Sequence, residues 1–159
     1  MDAALGTRHH IAAEVEVPSG WLVGDAIRSG AVLDALLAER EAADSAEDRA
    51  ITLVVTAPPL VVPDGRAVYG EAAIGGGCAV IGVGSLDGGS GCSETTLADR
   101  AGKAALHECA HAAGLEHCAD PACVMYPARD IAGVDRKAKG FCARCTADLA
   151  HATLDAAPS

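Results

Sequence analysis

Apolar and polar positions follow two rhythms along the chain, and the changes of rhythm mark its elements. Residues 11–17 alternate loosely and end at Pro18, which predicts a first strand. Residues 25–43 place Ile27, Val32, Leu33, Leu36 and Leu37 at helical spacing. A short charged loop, 44–49, separates that helix from a β-branched run at 51–56, which reads as a buried parallel strand. Pro58, Pro59 and Pro63 make 57–65 a surface loop. Residues 67–73 read as a short edge strand, 78–83 as an apolar strand between glycines, and 86–93 as a Gly-rich loop. A second helix starts near Thr95 or Thr96, with Thr96 and Asp99 placed like a capping box, and runs to about Ala113 before Gly114. Residues 115–141 are loop-rich, and a last helix runs from near Cys142 to before Pro158.

This order predicts a mixed sheet flanked by helices, in the α/β (α+β) class. Residues 1–10 read as a weakly ordered lead-in. No internal repeat and no linker-like stretch is visible, so 1–159 reads as one domain. The sheet and long helix would occupy about 11–114, and the loop-rich part and last helix about 115–157.

Composition narrows the function. The chain has 159 residues, half of them hydrophobic, which is enough to bury a core and argues against wholesale disorder. Its 12 basic and 22 acidic residues leave a net charge of -10, which argues against nucleic acid or an anionic membrane as partner. One Trp, one Phe and two Tyr exclude a base-stacking platform, and leave the core to Val, Leu, Ile and Ala. No run reaches the roughly 18 uninterrupted apolar residues of a membrane span, and the longest uncharged run, Ala72 to Leu86, is broken by glycines. The first twenty residues lack the pattern of an export signal. A cytoplasmic location is therefore expected. There thiols stay reduced, so seven cysteines point to metal or redox chemistry rather than disulfides.

Two constellations carry that chemistry. His107-Glu108-Cys109-Ala110-His111 lies in the second predicted helix, and residues four apart share a helix face, so both imidazoles can reach one ion. Zinc suits imidazole nitrogen in a tetrahedral site with one position open. Glu108 sits beside the first ligand and can move a proton as general base. Gly114 can turn the chain sharply and fold His117 back as the third ligand. Cys109 points away and reads as a small buried hydrophobe. His9, His10 and His151, without spaced partners, read as ordinary histidines.

The second constellation is Cys118 and Cys123 with Cys142-x-x-Cys145. Two close pairs of thiolates fit a closed, structural zinc site. Such a site would supply stability to a tail with few large apolar residues. Cys78 and Cys92 read as buried or incidental thiols.

Written out, the stretch is His107-Glu108-x-x-His111-x-x-Gly114-x-x-His117-Cys118, four residues, Cys123-x-Met125, sixteen residues, Cys142-x-x-Cys145. It closely resembles the archaemetzincins, a family of metzincin zinc metallopeptidases. Asp135-x-Lys137 and Phe141 fit the same resemblance, and residues 51–56 and 68–72 look more weakly like that family's strands. The spacer after Met125 is one residue shorter than the family's usual one, and Thr56-Ala57-Pro58-Pro59 replaces a more acidic turn; neither touches a ligand.

The resemblance implies a metzincin-like, mixed, twisted sheet with an active-site helix beneath it and a cleft across the front. It implies two Zn2+ per chain. One is catalytic, held by His107, His111 and His117 with Glu108 as general base. The other is structural, held by Cys118, Cys123, Cys142 and Cys145. Met125 would form a turn packed under the catalytic zinc, although an ordinary core Met would be buried the same way. Residues 68–72 would be an edge strand on which an extended peptide pairs. Tyr126 reads as packing.

The expected function is thus a zinc metallopeptidase acting on peptide or protein substrate, with a monomer favoured. A zinc-stabilised peptide-binding protein with little or no turnover shares every ligand, but gives no reason for Glu108. A thiol redox protein built on Cys142 and Cys145 predicts one zinc or none and leaves Cys118 and Cys123 without a role.

Overall fold

Ile27 and Leu60 are fully buried against each other, although no strand is legible around either in the sequence. The computed structural model describes residues 14, 16–43, 50–89 and 91–155. Strands β1 (Leu22–Val23) and β2 (Ala26–Arg28) form a tight antiparallel hairpin, with Val23 opposite Ala26. Gly24 takes φ +60 there, the conformation a two-residue turn with Gly at its first central position requires. Helix α1 (Ser29–Ala42) therefore begins four residues later than its pattern suggests. Ile27 shares a cluster with Val32 and Leu33, so a short strand followed by a helix reproduces the apolar spacing of a longer helix.

The proline-rich stretch also holds a strand, β4 (Leu60–Val61), parallel to β2 and antiparallel to β5 (Ala67–Val68). Together they make a four-stranded sheet of order β1-β2-β4-β5. The second sheet has three strands, with β7 (Cys78–Gly82) between β3 (Thr52–Thr56) and β6 (Gly70–Ala73). In it β3 and β7 run parallel, and β6 pairs antiparallel with β7. The expected strand at 67–73 thus splits at Tyr69 between the two sheets, while both halves remain edge strands. The expected burial of β3 does not hold, since Val55 is exposed. The strand expected at 11–17 falls mostly outside the described residues, and positions 14, 16 and 17 carry no regular structure. His9 and His10 also lie outside them.

Strand β7 is the centre of the fold and is buried throughout. Its alternation sends Val80 toward α1, with Val32 and Leu33, and Ile81 toward the helix that follows, α2 (Glu94–Ala112), with Ala104 and Ala105. Each such side chain contributes about 1.5–3 kcal/mol by leaving water. Helix α2 is covered on its other side by a third cluster. There Leu106 and Ala110 meet Leu115, Val124, Met125 and Leu149, the last from helix α4 (Ala143–Asp155). The helix carrying the histidine motif is consequently sandwiched, which fixes its roll and its axis.

The start of α2 differs from the expected capping box. Ser93 is the N-cap, and its Oγ accepts from the Thr96 N–H at 3.1 Å. Asp99 instead pairs with Lys103 at 3.0 Å and with Lys139. A short helix, α3 (Ile131–Arg136), interrupts the loop-rich region and is capped by Asp130. Arg100 clamps Asp135 of α3 through two bonds of 2.7 and 2.8 Å and donates a third to Leu86 O.

Hydrogen bonding to Arg100 holds the Asp135 carboxyl below its ordinary 3.8. A depressed folded value means stability present above 3.8 and lost as pH falls through the folded value. Asp135→Asn is therefore expected to melt below the parent at pH 7, with the gap closing below about pH 3.8. Thermal melts of both proteins across pH 2.5–7, the range spanning that titration, check this.

Candidate active site

The end of α2 sets the geometry. Gly114 takes φ +106. Leu115 N–H donates to Ala110 O at 2.9 Å, and Gly114 N–H to His111 O at 2.8 Å. This pair of bonds is the Schellman ending, with Leu115 packed near Ala110. The glycine loop between β6 and β7 completes the cap, as Gly75 N–H reaches His111 O and Gly77 N–H reaches Ala112 O, both at 3.0 Å. The chain then reverses and returns His117 to the face bearing His107 and His111.

The three imidazoles converge. Their ring centroids lie 4.6, 4.7 and 5.4 Å apart, and each offers a nitrogen within 4.8 Å of the others. His107 Nδ1 faces Val124 O at 2.8 Å, and His111 Nδ1 faces Leu115 O at 2.6 Å. A carbonyl only accepts, so each Nδ1 carries the proton and each Nε2 keeps a free lone pair. The two Nε2 atoms stand 3.2 Å apart with no proton between them. Two nitrogens on one tetrahedral zinc, each about 2.05 Å away, would be about 3.3 Å apart. The donor set therefore fits zinc. Burial pushes His107 down to about 3, helped by the Lys137 charge, and lowers His111 and His117 as well. All three are neutral at pH 7, the form that binds metal.

Glu108 is buried in the same wall. Desolvation raises its carboxyl to about 8, with Lys137 opposing and Glu71 adding to the shift. Across from it lies Gly70 on edge strand β6. A Cβ there would stand 2.5 Å from Glu108 Cγ and 2.9 Å from Oε1. Glu108 can occupy its position only because residue 70 has no side chain. A cleft of about 490 Å³ opens between β6 and the histidines, with Ile74 and Glu116 at its rim.

Cys118, Cys123, Cys142 and Cys145 form the second group, with one sulfur of each within 4.8 Å of the others. Cys118 Sγ and Cys142 Sγ are 3.7 Å apart. Two sulfurs about 2.3 Å from one tetrahedral zinc would be about 3.8 Å apart. Backbone N–H groups of Asp120 and Cys142 point at Cys118 Sγ and Cys123 Sγ, both at 3.4 Å. The Cys145 backbone N–H pulls the Cys142 thiol down to about 7, while burial raises Cys123 and Cys145. All the cysteines are unpaired by disulfides. Cys142 and Cys145 thus face Cys118 and Cys123 rather than standing as an isolated redox pair.

Cys78, Cys92 and Cys109 belong to neither group. Cys109 is buried, and desolvation pushes its thiol up to about 11. Met125 is fully buried in the cluster that supports α2, and Tyr126 is half-buried beside it. His151 is exposed. Gly70 belongs to neither motif, although a glycine inside a strand is itself a signal of close backbone approach. Gly75 and Gly77 belong to neither motif, and their part depends on where the hairpin lands. No described helix is long and apolar enough to cross a membrane.

A sequence model of Peptidase family M54 matches residues 22–151. The archaemetzincin of Archaeoglobus fulgidus is 34% identical over 101 residues, covering 64% of this chain and 61% of that protein. The archaemetzincin of Aeropyrum pernix is 38% identical over 89 residues, 55% of this chain and 46% of that protein. The matches thus span less than two thirds of these relatives. Among solved structures, the archaemetzincin of Methanopyrus kandleri superposes with a TM-score of 0.74 at 29% identity, over 87% of this chain and 73% of that one. The Archaeoglobus fulgidus archaemetzincin, complexed with malonate, gives 0.69 at 28% identity, over 84% and 77%.

Proposed function

Because the chain belongs to Peptidase family M54, we propose that it is a zinc-dependent metallopeptidase of the metzincin kind, with Glu108 as its general base. The observation that carries this is the convergence of the proton-free Nε2 atoms of His107 and His111 with a ring nitrogen of His117, at a cleft in which Glu108 is seated against an edge strand. His107, His111 and His117 would hold the catalytic zinc, and Cys118, Cys123, Cys142 and Cys145 the structural one. When bound, the catalytic zinc supplies Lewis acidity that polarises the scissile carbonyl and activates water. Ionised beside that dication, whose charge offsets the desolvation that raises its carboxyl, Glu108 would take the proton from the attacking water and later deliver it to the departing amine. An extended peptide would lie along β6, whose outer edge has no partner strand among the described residues. The unpaired thiols suit a reducing compartment, consistent with a cytoplasmic enzyme.

The test is a peptide-library digestion by zinc-loaded protein, chelated protein, and chelated protein resupplied with zinc. Cleavage only in the first and third is expected. Tight capture of peptides without cleavage in all three would instead support a peptide-binding protein.

Gly70 offers a sharper check on the cleft. Gly70→Ala places a methyl 2.5 Å from Glu108 Cγ, so the carboxylate must shift. Misplacing a catalytic group by about 1 Å costs on the order of a hundredfold in rate. Peptide turnover is expected to fall by that factor while metal analysis still finds parental zinc.

A further inference from the structure

Lys137, just after α3, is buried yet takes part in none of the ion pairs seen among the described residues. Lys103, the other buried lysine, is paired with Asp99. Burying an ammonium costs several kcal/mol unless its protons are satisfied. Lys137 donates one of them to Tyr126 O at 2.8 Å, and its Nζ lies 3.5 Å from His107 Nδ1. That Nδ1 is the atom facing Val124 O. Val124 and Tyr126 flank Met125, so His107 and Lys137 grip the same turn one residue apart on either side of the buried methionine. The segment after Lys137 is laced to the front of this turn as well. Ala138 N–H donates to Ala122 O at 2.8 Å, and Val124 N–H to Gly140 O at 3.0 Å.

We infer that Lys137 is a positioning residue of the histidine site: by holding the Tyr126 carbonyl it fixes the turn whose Val124 carbonyl orients His107. The inference rests on the reading of His107, His111 and His117 as zinc ligands. The Nδ1 partner of a ligating histidine sets its tautomer and ring angle, and losing such a partner weakens metal binding about 10–100-fold. Lys137 acts one bond further out, on the segment that carries this partner. Removing it frees the turn and takes away the Nζ that lies 3.5 Å from His107 Nδ1, while every candidate ligand side chain stays in place.

The test compares the full-length parent with Lys137→Met and Lys137→Arg, all zinc-loaded. Graded chelation, followed by metal analysis, reads the histidine-held and cysteine-held zinc separately. Peptide kinetics read kcat and KM. Lys137→Met is expected to release the histidine-held zinc about tenfold or more readily while keeping the cysteine-held zinc as the parent does. At saturating zinc its kcat should fall with KM little changed. Lys137→Arg, which still donates to a carbonyl, should recover most of both losses.

Parental behaviour of Lys137→Met at the histidine class, or equal weakening of both classes, overturns the inference. If Lys137→Met does not fold, Lys137→Gln goes through the same titration. Selective weakening of the histidine class supports the inference there, and an unchanged class overturns it. A parent whose histidine class holds no zinc would overturn the proposed function and this inference with it. A two-zinc parent beside an unchanged variant overturns the inference alone.

Discussion

Glu108→Ala is expected to lower kcat for peptide hydrolysis by about 10²–10⁴-fold, the usual worth of a positioned general base, with zinc still at two per chain. The neighbouring His107 and His111 owe their orientation to Val124 O and Leu115 O, not to Glu108, so removing the carboxylate leaves the donor set intact. The methylenes of Glu108 stand against Gly70, and truncation leaves a small gap on the cleft side of α2. Folding is carried elsewhere, by Ala104 and Ala105 against β7 and by Leu106 and Ala110 against Met125. KM should change little, because the interaction removed belongs to the transition state. Metal analysis and steady-state kinetics on the same preparation decide the matter. Undiminished turnover with both zincs present would remove Glu108 from the mechanism.

The largest effect on stability is expected at Cys145. Its sulfur is buried in the cluster that also holds Cys118, Cys123, Met125, Leu149 and the α2 residues Leu106 and Ala110. Structural zinc binding is worth about 10–16 kcal/mol in small zinc domains, whereas whole domains are stable by only about 5–15 kcal/mol. Cys145→Ser should therefore lose the cysteine-held zinc and unfold the region after Leu115 at ordinary temperatures. The loss should spread to the catalytic centre. His117 is bonded in sequence to Cys118, whose N–H is held by Met125 O at 2.9 Å, and Val124 O orients His107. Zinc content below one per chain, a much lower melting temperature and fast amide exchange in α4 are the expected signs. A variant with parental melting temperature would show that packing alone holds this region.

The candidate ligands were legible in the sequence because their geometry is local. His107 and His111 share a helix face through the 3.6-residue period alone. Gly114 announces a positive φ, and a chain reversed at that point leaves His117 nowhere else to go. The paired spacing of the four cysteines is likewise short-range within each pair. The long strand β7 and helix α2 were legible for the same reason, since each is a continuous run of one period. The hairpin β1–β2 was not, because two- and three-residue strands are too short to show a period. Ile27 became a strand residue by pairing with Leu60 across 33 positions of chain.

The chain's own order of residues therefore determined which atoms can bind metal and roughly where the helices and central strand lie. Tertiary structure decided how those atoms are used. Gly70 faces Glu108, Gly75 and Gly77 cap the end of α2, and Lys137 holds the turn behind His107. Each of these contacts joins residues some 10 to 40 positions apart. A helical or strand period relates only residues a few positions apart. Pairings at longer separations are fixed by how sheets, helices and loops bury one another's surfaces, and that is settled only when the whole core has packed.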